Sequence, residues 1–535
     1  MLGPLGLVFY DKRALGLEPL NRSEADSSSP WWRSAVMYQI YPRSFADGDL
    51  DGIGDLDGIR SRLGYVAQLG VDAIWLSPIY RSPMADFGYD VSDHTAVDSI
   101  FGDLRSFDRL LSEAHRQGLR VLLDWVPNHT SSQHPWFLDS RSSLSSPKRE
   151  WYIWRDGHGD EPPNNWRSAF GGPAWTRDEA TSQWFLHLFL REQPDLNWGN
   201  AEVVAAMHDV LRFWLDRGVD GFRADVVHLI GRDQLLPNQP EQRAHLDIVG
   251  SHDHPRTHVL LRGIRSVLEE YGGDRVMVGE VTLERPELLA PYYGLDDELH
   301  MVFNFGLMHV PWSAEAFGRV LDDAERALPE PGHWPCWVLS NHDQPRHRSR
   351  FSGSESRARA AALLLLSLRG TPCLYAGEEL GLLDAAIPAA SRVDPGGRDG
   401  SRAPIPWEAT AGHGWPARPW LPLPPDPERW NAETEAADPD STLALYKRLL
   451  ALRRMAPALR LGSFQRLGSP PDTLLYERSW GADVRRVAVS FSDQLVMEVS
   501  AADGWRIEVA TTSGREGLLW DGALAPSEAV ILSRS

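Results

Sequence analysis

The sequence predicts an α/β fold: a closed (β/α)8 barrel of the TIM type, with an inserted domain after the third strand and a C-terminal antiparallel β-sandwich. Three observations carry that expectation. A unit of helical stretch, glycine, apolar strand and polar or acidic strand end recurs along the chain, and eight such units can be placed. Two long stretches rich in Trp and Pro interrupt the rhythm. From about Gly462 onward the pattern shortens to strands and turns, as in Thr473-Leu474-Leu475-Tyr476-Glu477 and Val487-Ala488-Val489-Ser490.

Residues 1–30 are poorly patterned, and Ser27-Ser28-Ser29-Pro30 marks a linker, so a loose extension is expected. Trp31 to Phe45 reads as the first strand, with Val36, Tyr38 and Ile40 on one face. Gly70-Val71-Asp72-Ala73-Ile74-Trp75 leads to Ser77, and Gly118-Leu119-Arg120-Val121-Leu122-Leu123 leads to Asp124. Gly218-Val219 leads to Asp225, and Val276-Met277-Val278 to Glu280. Glu298 to Phe303, Cys336 to Leu339 and Thr371 to Tyr375 complete the set. Helices lie between them, such as Leu104 to Gln117, whose Leu104, Phe107, Leu110, Leu111 and Ala114 form one apolar face. Helix C-caps explain the repeated glycines. They do not explain acid after acid at strand C-terminal ends, where a barrel of this kind gathers its chemistry. The stretch 130–193 is too long for a loop and reads as the inserted domain. The barrel then occupies 31–129 and 194–460, including a lid-like excursion at 381–440, and 461–535 forms the C-terminal domain.

The 535 residues suffice for a sizeable core, and 42% hydrophobic with 24% charged residues is an ordinary globular composition. A formal net charge of −20 argues against nucleic acid and fits a neutral substrate. The 22 Trp offer faces that stack on sugar rings, although any single one more often fills core. Cys336 and Cys373 sit in apolar stretches and read as buried thiols of a reducing compartment. Residues 1–30 lack the pattern of a signal peptide, and the longest aliphatic run, Ala361 to Leu368, is too short to span a bilayer. A cytoplasmic protein without membrane or nucleic-acid partners is expected, as a monomer or homodimer.

The chemistry centres on Asp220-Gly221-Phe222-Arg223-Ala224-Asp225. Strand alternation puts Gly221, Arg223 and Asp225 on one face. An isolated Arg-x-Asp is most often a structural ion pair. Here Arg223 is expected to lower the pKa of Asp225 and keep it an ionised nucleophile. Glu280 and Asp343 stand at two further strand ends, and glycoside hydrolysis needs one attacking carboxylate and one protonated acid. Glu280, crowded by the other two, is expected to keep its proton, while Asp343 stabilises the transition state. His129 and His342, also at strand ends, can donate to sugar hydroxyls. A metal site built from these residues lacks any H-x-x-x-H spacing. In Asp47-Gly48-Asp49-Leu50-Asp51-Gly52-Ile53-Gly54-Asp55, carboxylates at every second position can wrap a hard cation. Structural Ca2+ or Mg2+ is expected on Asp47, Asp49, Asp51, Asp55 and the Ile53 carbonyl, although Gly58 replaces the Glu that an EF-hand carries at position twelve.

These motifs resemble those of the α-amylase superfamily, glycoside hydrolase family 13. Asp124-Trp125-Val126-Pro127-Asn128-His129 is similar to its D-x-V-x-N-H signature, and Gly221-Phe222-Arg223-Ala224-Asp225 to its nucleophile strand. Glu280 resembles its acid/base, Asn341-His342-Asp343 its third acid, and Gln193-Pro194-Asp195-Leu196-Asn197 the motif closing the inserted domain. The resemblance runs from about Trp31 to the C-terminus and implies a retaining mechanism. Asp86-Phe87-Gly88-Tyr89-Asp90 resembles the pocket motif of exo-acting α-glucosidases, which implies that Asp86 binds the terminal glucose of a short α-glucoside and Tyr89 stacks on it. Arg402, in Ser401-Arg402-Ala403-Pro404, resembles the arginine expected to pair with Asp86, with Arg398 the second candidate. Phe170, Phe189 and Gln193 would line the entrance.

Two departures leave linkage preference open: Ile405 stands where many relatives carry Met, and Val226 follows the nucleophile, as in relatives that cleave α-1,6 bonds. An oligo-1,6-glucosidase, or a transglycosylase or isomerase forming trehalose or a sucrose isomer, would use the same acids. A non-catalytic relative would carry a transmembrane segment and broken acids, the reverse of this chain.

Overall fold

In a computed structural model of the protein, residues 29–240, 253–272, 274–283, 285–328, 333–499 and 504–534 are described. The expected N-terminal extension lies outside them except for Ser29 and Pro30. Eight parallel strands close a barrel: β1 Met37–Ile40, β2 Ala73–Leu76, β3 Arg120–Trp125, β4 Gly221–Ala224, β5 Val276–Gly279, β6 Met301–Asn304, β7 Pro335–Val338 and β8 Thr371–Tyr375. Each pairs with its neighbours in sequence, and β8 pairs with β1.

The connecting helices are α1 Leu56–Leu69, α2 Leu104–Arg116, α3 Ala201–Asp216, α4 Pro255–Glu269, α5 Ala314–Ala327, α6 Glu355–Ser367 and α7 Thr442–Met455. Asp55, Asp103 and Asn200 cap the first three through side-chain oxygens. Gly70 ends α1 at φ 101°, a conformation that favours glycine. Between β5 and β6 the expected helix is replaced by 3-10 turns, Pro286–Leu288 and Ala290–Tyr293. Pro286 and Pro291 lack the N–H that a longer helix would need.

Strand alternation divides the core into two layers. Val276 and Val278 join Trp75, Leu122, Phe303, Cys336 and Cys373 in one apolar cluster, whereas Met277 joins the helix-facing cluster. The same alternation sends Glu280 inward, two residues beyond Val278. Both cysteines are free and buried, and burial pushes their thiols up.

The stretch 130–193 holds a helix, Pro135–Ser142, and a three-stranded antiparallel sheet of Trp154–Arg155, Trp184–Leu186 and Trp175–Arg177. Its Trp175, Leu186 and Leu188 pack with Val226 and Leu229, just beyond β4. The excursion 381–440 is largely irregular and is pinned by Trp407 Nε1 donating to the Phe45 carbonyl at 2.6 Å and Trp420 N to the Gly52 carbonyl at 3.0 Å. At the C-terminus, β9 Ser463–Leu467, β10 Thr473–Trp480, β11 Asp483–Ser490, β12 Trp505–Ala510 and β13 Ala529–Arg534 form an antiparallel sheet in the order β9-β10-β11-β13-β12. One face joins the barrel core through Leu474, Tyr476 and Ile531. The other is covered by Val499, Trp520 and Leu524, where Val496 bridges Leu524. Among the described residues the second layer is a short paired segment.

At Gly221 β4 leaves no room for a side chain against β5: a Cβ there would lie 2.2 Å from the Val276 carbonyl oxygen. Gly221→Ala should force these strands apart, costing about 1–3 kcal/mol and lowering turnover by shifting Glu280. Thermal unfolding and kcat check this; a variant with wild-type values of both would contradict it.

Candidate active site

Arg223 lies at the centre of the barrel mouth. Its Nη1 meets Asp124 Oδ1 at 2.7 Å and Asp225 Oδ1 at 2.6 Å, and its Nη2 meets Glu280 Oε2 at 2.5 Å. Strand register brings them together, since Arg223 on β4 pairs with Asp124 on β3 and Val278 on β5. The Val226 N–H also donates to Glu280 Oε2, at 3.1 Å. All four side chains are buried.

Three carboxylates face one cation here, so the cluster holds a proton near neutral pH. Burial pushes Glu280 up to about 7, opposed by Arg223 and reinforced by Asp225 and Asp343. The expected direction for Glu280 holds, but desolvation outweighs crowding as its cause. Burial also raises Asp225 to about 7 and Asp124 to about 6 against the pull of Arg223. The expectation that Arg223 lowers the pKa of Asp225 is thereby corrected: loss of water outweighs the guanidinium, which is shared three ways.

Asp343 sits under different charges. Its Oδ1 accepts from Arg398 at 2.9 Å and Arg402 at 3.1 Å, and its Oδ2 lies 3.2 Å from His342 Nε2. Burial alone would raise it, but the charges beside it (His342 only where acid protonates its ring, Arg398 and Arg402 throughout) hold it well below the usual carboxylate range. Tyr89 joins the two groups of acids, its hydroxyl 3.0 Å from Asp124 Oδ2 and 2.6 Å from His342 Nε2. Asp225, Glu280 and Asp343 thus belong to one contiguous polar network. Burial lowers His342 to about 3, so its ring is neutral. Gln39 Nε2 donates to its Nδ1 at 2.7 Å, which leaves the proton on Nε2.

Asp86 is gripped by Arg398 at 2.6 Å and by Gln193 Nε2 at 3.1 Å. Arg402 does not pair with it, contrary to expectation. Its guanidinium is fully buried and taken up by the His342 carbonyl, Asp343 and Asp394. Arg398 lies nearer the rim and bridges Asp86 to Asp343. Gln193 Nε2 also lies 3.0 Å from His129 Nε2, and burial lowers His129 to about 4. From the inserted stretch, the Phe189 ring lies 5.1 Å from His129 and the Phe170 ring 5.6 Å from the Arg398 guanidinium.

In the aspartate loop, carboxylate oxygens of Asp47, Asp49 and Asp55 lie within 4.8 Å of one another. Burial and the neighbouring carboxylates raise Asp49. Asp51 is not part of that cluster; its Oδ1 accepts from the Ile53 N–H at 2.7 Å. Of the four aspartates expected there, Asp47, Asp49 and Asp55 converge in this structure.

Sequence reasoning ranked Arg398 second and gave Asp394 and Gln39 no role. The spacing Asp394, Arg398, Arg402, each four residues apart, was the available signal for the first two. Gln39 carries no motif.

The family description "Alpha amylase, catalytic domain" matches residues 39–462. A probable alpha-glucosidase of Rhizobium meliloti (strain 1021) is 42% identical over 497 residues, spanning 87% of this chain and 90% of its own length. An oligo-1,6-glucosidase of Parageobacillus thermoglucosidasius is 37% identical over 514 residues, 87% of this chain and 91% of its own. The crystal structure of the alpha-glucosyl transfer enzyme XgtA has a TM-score of 0.88 at 39% identity, covering 95% of this chain and 100% of that one. The trehalulose synthase MutB of Pseudomonas mesoacidophila MX-45 has a TM-score of 0.88 at 33% identity, covering 94% and 99%. With this fold, this cluster of acids and relatives of near full length, the chain belongs to the α-amylase family of glycoside hydrolases.

Proposed function

We propose that this hydrolase is a retaining, exo-acting α-glucosidase that releases glucose from the non-reducing end of short α-glucosides. The observation that carries this is the pairing of Asp225 and Glu280 across one guanidinium, with the Asp86–Arg398–Asp343 bridge beside them. Asp225 attacks the anomeric carbon, forming a glycosyl ester as the bond to the leaving oxygen breaks, and Glu280 gives that oxygen its proton. Water then attacks C1, Glu280 takes back a proton, and Asp225 is released. Asp343, kept ionised by its two arginines, binds sugar hydroxyls and faces the developing positive charge. His342, His129 and Gln193 offer polar contacts to the same ring, and Tyr89 offers its face. Asp86 holds the terminal glucose, and Arg398 with Phe170 closes the far wall, which favours removal of one unit at a time.

A second reading, α-1,6 cleavage, is favoured by Val226, which lies buried between Asp225 and the inserted stretch. Glucosyl transfer or isomerisation would use the same intermediate with water held off.

We further propose a structural Ca2+ or Mg2+ on the aspartate loop. Asp47, Asp49 and Asp55 would supply the carboxylates, and Asp51 and the Ile53 carbonyl would complete the shell by local adjustment. Among the described residues no helix is long and apolar enough to cross a membrane. The two free buried thiols support a reducing, cytoplasmic location.

Asp225→Asn and Glu280→Gln should each lower kcat on a nitrophenyl α-glucoside on the order of 10³-fold without a large change in melting temperature. Because Glu280 must be protonated to act as acid, wild-type kcat/KM should fall as pH rises through about 7, and Glu280→Gln should lose that limb. Wild-type turnover in either variant, or a flat alkaline profile, would contradict the assignment. Chelation should lower the melting temperature more than it lowers turnover of enzyme assayed below unfolding; a melting temperature indifferent to chelator would refute the cation site.

A further inference from the structure

Asp86 rides on a loop that its own backbone makes awkward. Met84 and Phe87 both have left-handed φ, 66° and 47°, and Gly88 follows at 108°. Side chains other than glycine adopt this region only where their surroundings force it. Phe87 packs against Trp420 and the Arg43 guanidinium, and on the inner side the loop closes on one fully buried carboxylate, Asp90. Asp90 Oδ1 accepts from the Asp86 N–H at 2.9 Å and the Ser82 hydroxyl at 2.9 Å, and Oδ2 accepts from the Ala85 N–H at 3.0 Å. Ser82 Oγ in turn accepts from the Met84 N–H at 2.9 Å. Among the described residues Asp90 has no ion pair, although its side chain is out of solvent. Its hydrogen bonds run to the loop that carries Asp86 and to the hydroxyl that steadies Met84.

We propose that Asp90 is a positioning residue for substrate binding: it folds the loop around its carboxylate and so aims Asp86 between Arg398 and Gln193. The inference rests on Asp86 gripping the terminal glucose. Among the described residues no hydrogen bond or ion pair joins Asp90 to Arg398 or to the acids on Arg223, so its effect passes through the loop. Loss of its acceptors should free Met84 and Phe87 to relax and turn Asp86 from its partners.

The test is a double-mutant cycle on Asp86 and Asp90, read as KM, kcat and melting temperature with maltose and a nitrophenyl α-glucoside. Asp90→Ala should raise KM about tenfold or more with a smaller change in kcat. Asp90→Asn keeps the Oδ1 acceptor and loses the one facing Ala85, so it should fall between wild type and Asp90→Ala and remains testable if the alanine variant does not fold. In an Asp86→Ala background, Asp90→Ala should change KM less than about twofold, because its effect is already spent. A lowered melting temperature with wild-type KM in the Asp90 variants would overturn the proposal, as would effects that multiply in the double variant. An unchanged KM in Asp86→Ala alone would instead overturn the pocket reading on which it stands.

Discussion

A guanidinium removed from water is costly unless its charge is met by nearby acceptors, and the effective penalty for an unpaired buried ion is several kcal/mol. Arg223 is met by three carboxylates at once, carried on adjacent strands. The arrangement works in both directions. The acids make the buried arginine tolerable, and the arginine lets Asp225 and Glu280 approach without full mutual repulsion. One positive charge cannot hold three buried carboxylates ionised, so a proton stays in the cluster. A retaining glycosidase needs that asymmetry, one carboxylate bare and one protonated, at a single centre.

The barrel supplies the geometry. β3, β4 and β5 are neighbours in register, so their C-terminal ends deliver Asp124, Asp225 and Glu280 to one spot without help from any loop. Asp343 belongs to a second electrostatic regime set by Arg398 and Arg402, which come from the irregular stretch beyond β8. Tyr89 and His342 connect the two. Asp343 lies under two arginines and stays ionised, whereas Asp225 and Glu280 share one and both rise to about 7, so a proton stays with that pair. Equivalent carboxyl groups thus acquire different duties from the number of cations each one sees.

Much of this was legible in the amino-acid order, for physical reasons. Strands of a parallel barrel are buried on both faces and read as short apolar runs, and the glycines and acids at their borders punctuate them. That is why most barrel strands fall within a few residues of their expected places and why acids stand out at their ends. The stretch Trp31 to Phe45, expected as one strand, is instead a short helix at Trp31–Ser34 followed by β1. Other features depend on quantities a sequence does not display. The rise in the pKa of Asp225 follows from how much water the fold removes. The choice of Arg398 over Arg402 depends on how a Pro-rich segment without periodicity coils over the mouth. The convergence of Asp47, Asp49 and Asp55 without Asp51 depends on how the loop folds, which their even spacing does not display. Prolines at 286 and 291 were visible, and their consequence, turns in place of a helix, could have been drawn.

In the proposed mechanism Asp225 is the carboxylate that becomes covalently attached to glucose. Trapping the intermediate with 5-fluoro-α-glucosyl fluoride, followed by peptide mass spectrometry, addresses it directly. A single added fluoroglucosyl group on the peptide carrying Asp225 is expected. A label on another residue, or turnover of the reagent that yields the β-anomer with no adduct, would contradict it.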